Sequence, residues 1–163
     1  MDILVSSNLE RLLYLSCGRD AAKTKELMEQ LSKNGKYEIT PEMKEFMKDF
    51  SAGYADMEEN AKEIKKVFDD TGYLIDTHTG VAAAVYEQYK AKTGDATKTV
   101  IASTASPYKF SRSVMEAVLG KKEDTDEFAL IDEMERISGV KIPQAIEEIR
   151  DAKILHNLSL IHI

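Results

Sequence analysis

The sequence predicts an α/β chain, mostly helical, that contributes a few strands to a parallel sheet. Three observations carry this. The run Thr99-Val100-Ile101-Ala102-Ser103 is β-branched and apolar, short enough for a buried strand, and opens through small residues into an amphipathic helix. Most other stretches repeat apolar residues at helical spacing between a capping residue and a glycine. The 163 residues, 43% hydrophobic and 31% charged, suffice for one compact domain with a real core.

In chain order, residues 1–5 read as a short strand or tight connection. Ser7 and Glu10 form a capping box for a helix carrying Leu9, Leu12, Leu13 and Leu15, closed by Gly18. Asp20 opens a second helix to about Asn34, with Leu27, Met28 and Leu31 as its apolar face. Tyr37-Glu38-Ile39 is a short extended piece. Thr40-Pro41 then caps and starts a helix bearing Met43, Phe46 and Met47. Residues 50–55 form a plausible strand. Asp56 with Glu59 makes another capping box, and its helix buries Ile64, Val67 and Phe68 as far as about Asp70.

Next comes a small-residue helix beginning at Val81 and running to about Lys92, with His78 at its entrance. Gly94-Asp95 is a turn into the strand at 99–103. Ser106 is a good N-cap, Pro107 suits the first helical position, and Phe110, Val114, Met115, Val118 and Leu119 form the apolar stripe up to Gly120. Phe128, Leu130, Ile131, Met134 and Ile137 mark a helix ended by Gly139. Pro143 starts a last short one with Ile146 and Ile149.

The net charge of −7 argues against binding nucleic acid or anionic membranes. No apolar run is long enough to span a bilayer, and the start lacks a signal-peptide pattern. The single Cys17 suits a reducing compartment, so a cytoplasmic location is expected. Asp69 and Asp70 have no Cys or His at ligand spacing, so no metal site is expected. The charged residues between Glu58 and Lys66 form a solvated helix face, and His156 and His162 have no role.

A strand that turns into a helix through Ser103, Thr104, Ala105 and Ser106 leaves room at its carboxyl end, where open parallel sheets bind ligands. Small side chains let a planar ligand approach the backbone, and the hydroxyls can bond it. Asn8 and Arg11 are placed either to face a phosphate or carboxylate, or only to cap and pair at the surface. His78 is either a structural hydrogen-bonder or part of a site wall.

Thr104-Ala105-Ser106-Pro107-Tyr108-Lys109-Phe110 resembles the T-A-(H/S)-P-x-K-F segment near the carboxyl end of threonine synthases, a family of pyridoxal-phosphate enzymes with a tryptophan-synthase-like fold. Ser6-Ser7-Asn8-Leu9-Glu10-Arg11-Leu12 resembles the family's S-N-x-E-R, and Asp76-Thr77-His78-Thr79-Gly80-Val81-Ala82 its D-P-H-T-A-V. The likeness covers roughly residues 1–152. Departures are Thr77, where proline is usual, and Ser106, where many members have histidine.

The resemblance implies part of a fold-type II pyridoxal-phosphate enzyme, with 1–157 a partial carboxyl-terminal portion of the catalytic region. Residues 158–163, Leu158-Ser159-Leu160-Ile161-His162-Ile163, match the translated mosaic end of a transposase sequencing adapter. That tail is therefore expected to be artefactual, and both ends cut.

By resemblance, Thr104, Ala105 and Ser106 contact pyridoxal 5'-phosphate, the Thr104 hydroxyl facing the pyridine nitrogen, while Asn8, Arg11, His78 and Lys109 face substrate. The family's Schiff-base lysine and glycine-rich phosphate loop lie upstream of the part resembled. No catalytic residue is therefore assigned here, and Lys109 is not given that role. The implied reaction converts O-phosphohomoserine and water to threonine and phosphate, with the chain inactive without a missing amino-terminal part. The alternatives are a related enzyme such as a threonine or serine dehydratase, or a non-enzymatic helical binding protein. The Asn8 to Arg11 and Asp76 to Thr79 segments discriminate against the dehydratase. The binding protein would show an exposed apolar groove and no pocket at the end of the Val100 strand.

Overall fold

The computed structural model describes residues 5–120, 122 and 124–153. The expected tail at 158–163 and most of the first expected strand lie outside them. Where the sequence predicts one compact body, the chain divides into two units, Met1–Ala52 and Gly53–Ile163, each with its own apolar cluster.

The first unit holds α1 (Ser7–Ser16), α2 (Ala21–Asn34) and α3 (Pro41–Phe46). The cap of α1 is Ser6, one residue before the expected Ser7: its backbone is extended and its hydroxyl accepts from Leu9 N at 3.3 Å. Shifting the cap by one moves Glu10 past the position from which a capping box closes. Gly18 and Arg19 both take left-handed φ, 70° and 66°, and turn the chain sharply into α2. Asp20 then caps α2 through Ala22 N and Lys23 N, and Thr40 caps α3 ahead of Pro41, as expected. Leu13, Leu27 and Met43 form the core, with Cys17, Met28, Tyr37, Ile39 and Met47 packed against it.

The second unit comprises α4 (Met57–Thr71), α5 (Thr77–Thr93), a 3₁₀ turn (Pro107–Phe110), α6 (Ser111–Leu119), α7 (Glu127–Ser138) and α8 (Gln144–Arg150). Asp56 and Glu59 close the expected capping box on α4. That helix packs on both α5 and α6, and α7 packs on α6. Gly80 allows the approach of α4 to α5: a Cβ there would lie 2.2 Å from Asn60 Oδ1 and 2.8 Å from Ile64 Cγ1. Val114, Met115, Met134, Ile64 and Leu130 fill the centre.

Two expectations in this unit are corrected. α5 starts at Thr77, four residues before Val81, because Asp76 in extended backbone supplies the cap. The helix expected after Ser106 begins as a 3₁₀ turn before α6, with Phe110 at φ −131° marking the break.

None of the predicted strands forms among the described residues: 37–39, 50–55 and 99–103 are all irregular. A strand exists only with a neighbour to bond it, and a parallel one buried on both faces needs two. Val100 is 92% exposed, and backbone groups between 96 and 105 make no backbone hydrogen bond to described residues. The run has strand-forming side chains without the partners that would make it a strand.

Thr77 occupies the first helical position of α5, where proline is tolerated, and the extended Asp76 (φ −80°, ψ 170°) suits a residue preceding proline. Thr77→Pro is expected to raise stability by about 0.5 kcal/mol by restricting the unfolded chain. A lowered urea midpoint would show instead that the Thr77 amide is needed.

Candidate functional site

Asp76 is the one charged side chain that is fully buried among the described residues. Its Oδ2 accepts from His78 N at 2.8 Å and faces His78 Nδ1 at 3.2 Å. Its Oδ1 accepts from Thr79 N at 3.3 Å and makes a short hydrogen bond with Thr79 Oγ1. Burial disfavours the charge, but the hydrogen bonds from the Thr79 hydroxyl, the His78 and Thr79 amides and the His78 ring outweigh it. The carboxyl is held below its ordinary pKa.

Thr79 Oγ1 also lies 3.0 Å from Ser103 Oγ, so the first turn of α5 is tied to the start of the small-residue run. A second contact joins the same two segments: the His78 ring meets Phe110 at 5.0 Å between centroids, inclined by 60°. Lys109 Nζ stands 5.7 Å from the Phe110 centroid, extending this wall with a cation.

From the other side the run is anchored by Ser106, whose hydroxyl accepts from Tyr108 N at 3.3 Å. Tyr108 is buried and donates its hydroxyl to Val140 O, and burial pushes the phenol's pKa up. Between the anchors Thr104 is exposed, and its hydroxyl makes no hydrogen bond to described residues. Ala105 is half-buried. The run therefore offers small side chains and neutral hydroxyls. The Asp76 carboxylate beneath is engaged by its own turn.

His78 and Lys109 thus converge on Phe110, while Thr104, Ala105 and Ser106 follow one another beside them. Asn8 and Arg11 belong to the first unit. There Arg11 Nη1 donates to Asn8 Oδ1 at 3.1 Å, both side chains exposed, while the cap of α1 is Ser6 and not Asn8. Arg11 lines a groove of about 670 Å³ between α1 and α2, with Glu10, Tyr14, Lys25 and Met28. In the second unit a groove of about 420 Å³ runs past Ser106 and Lys109 between Phe128, Ile131, Ile146 and Ile149.

Asp76, Thr79 and Phe110 were not among the site residues read from the sequence, and Ser103 was read only as part of the ligand-admitting run. Asp followed three residues later by a hydroxyl is a cap signal that would have placed the start of α5 correctly. The Thr79–Ser103 bond spans 24 positions and carries no local signal.

Residues 79–154 match the family model "Threonine synthase, C-terminal". Over 174 aligned residues the chain is 32% identical to threonine synthase of Saccharomyces cerevisiae, covering 96% of this chain and 34% of that protein. It is 34% identical over 119 residues to human threonine synthase-like 1, covering 72% and 16%. The crystal structure of pyridoxal-phosphate-bound threonine synthase from Brucella melitensis superposes with a TM-score of 0.64 at 32% identity, covering 86% of this chain and 29% of that one. The chain spans about a third or less of the length of these proteins.

Proposed function

Because this chain is a threonine synthase relative, matching the carboxyl-terminal part of that family, we propose that it forms one side of an active site converting O-phosphohomoserine and water to threonine and phosphate. Residues 1–157 are in this reading a portion of a longer cytoplasmic enzyme whose remaining part supplies the rest of the site and the neighbouring strands of the sheet. The proposed cofactor is pyridoxal 5'-phosphate, which when bound supplies an electron sink for carbanion chemistry.

The observation that carries this reading is the exposed Thr104 hydroxyl, unbonded among the described residues and placed in a run of small residues between two anchors. The donor set fits the cofactor: a neutral hydroxyl can donate to a pyridine nitrogen and leave it unprotonated, whereas a carboxylate would draw a proton onto it. Asp76 is kept from that role by burial and by the hydrogen bonds of its own turn. Ala105 and Ser106 leave space for a flat ring. Lys109 and the outer edge of His78 are exposed and suit an anionic substrate. Arg11, with Asn8 fixing its guanidinium, suits a phosphate or carboxylate. The dehydratase alternative is not favoured, since the matched family model, the yeast relative and the solved structure all carry the threonine synthase name. The same matches weigh against a non-enzymatic binding protein.

The test is to join this chain to the complementary part of the yeast relative and follow cofactor absorbance and phosphate release. Thr104→Asp is expected to shift the absorption maximum and reduce threonine formation on the order of a hundredfold. An unchanged spectrum with an unchanged product ratio removes Thr104 from the cofactor. If the unsubstituted fusion neither takes up cofactor nor releases phosphate, the functional reading fails.

A further inference from the structure

Helix-capping aspartates ordinarily sit at the surface, yet Asp76 has no exposed side-chain area, and the ring nitrogen it faces is His78 Nδ1 at 3.2 Å. An ionised carboxylate can only accept hydrogen bonds. Thr79 Oγ1 is bonded both to Asp76 Oδ1 and to Ser103 Oγ, but it carries a single proton. The charged oxygen takes that proton in the stronger, charge-assisted bond. What Thr79 then offers Ser103 is a lone pair, so Ser103 donates. The three side chains form a relay of fixed direction, Ser103 to Thr79 to Asp76.

Ser103 immediately precedes Thr104. Because the backbone from 96 to 105 makes no backbone hydrogen bond to described residues, this side-chain bond is the nearest tether on the amino side of Thr104. On the carboxyl side the tether is Ser106.

We infer that Asp76 is a positioning residue: acting through the Thr79 hydroxyl, it holds Ser103 and thereby sets where Thr104 stands. The inference rests on the reading of Thr104 as the cofactor contact. It differs from a purely capping role in a way that one substitution separates. Thr79→Val keeps both amide bonds to Asp76, and so keeps the cap, but cuts the relay.

The first measurement is ¹⁵N relaxation on the full chain. Thr104 and Ala105 are expected near the rigid backbone value of about 0.85 in the parent and below about 0.6 in Thr79→Val, with α5 unchanged. Thr79→Ser, which restores the hydroxyl, returns the rigid value. Ser103→Ala, an exposed change that leaves the cap untouched, reproduces the loss. Unchanged order parameters in Thr79→Val and Ser103→Ala overturn the relay, as does a Thr79→Ser protein as loose as Thr79→Val. The second measurement is pyridoxal 5'-phosphate affinity of the fusion, expected to weaken about tenfold in Thr79→Val and to recover in Thr79→Ser. Loosening without any change in affinity upholds the relay and overturns Thr104 as the cofactor contact.

Discussion

Asp76→Ala is expected to lower the unfolding free energy by about 3 kcal/mol, combining the loss of an N-cap with unpaired donors left in a buried turn. Its carboxylate receives the His78 and Thr79 amides and the Thr79 hydroxyl, none of which finds a replacement in a methyl group. Asp76→Asn keeps one accepting oxygen and should lose less. The pH dependence separates charge from shape. The folded carboxyl titrates below its ordinary value, so its ionised form contributes stability that is complete above the unfolded value near about 3.9 and is lost as pH falls through the folded value. The gap between parent and Asp76→Asn in urea titrations should therefore be widest at neutral pH and close below about pH 4. A gap independent of pH would mean that the charge contributes nothing.

The second large effect belongs to the core of the second unit. Met115 on α6 is fully buried within the cluster that includes Ile64, Val114 and Met134. Met115→Ala is expected to cost about 3 kcal/mol through lost transfer energy and a residual cavity. Val100→Ala, by contrast, should stay within about 0.5 kcal/mol, because the side chain it trims is 92% exposed. Comparable losses for the two would put Val100 inside a core, as the sequence alone suggests.

That contrast shows which parts of the fold were legible. Helix ends were read well where capping is decided within four residues: Asp20, Thr40 with Pro41, Asp56 with Glu59, and Ser106 with Pro107 all stand where expected. Ser6 displaced Ser7 because adjacent serines carry the same local signal, and backbone geometry chose between them. The 99–103 run was misread because β-branched periodicity reports what side chains prefer, while a strand depends on a second segment elsewhere. At the site, the sequence identified both segments that meet, 76–82 and 104–110, and His78 does contact Phe110. Their joint through Thr79 and Ser103 could not be read, since neither residue's neighbours in sequence specify the other.

The unpaired run at 97–101 also bears on how the chain behaves at high concentration. Thr97-Lys98-Thr99-Val100-Ile101 combines strand-forming side chains with a backbone that makes no backbone hydrogen bond to described residues, side chains alone holding Thr97 N (which donates to Asp95 Oδ1) and Thr97 O (which accepts from Thr99 Oγ1). Such an edge is a template on which a second chain can add in register. Lys98, the one charged residue in the stretch, sets like charges beside one another whenever two copies pair in parallel. In such a pairing the repulsion opposes self-assembly, and salt, by screening it, weakens that opposition.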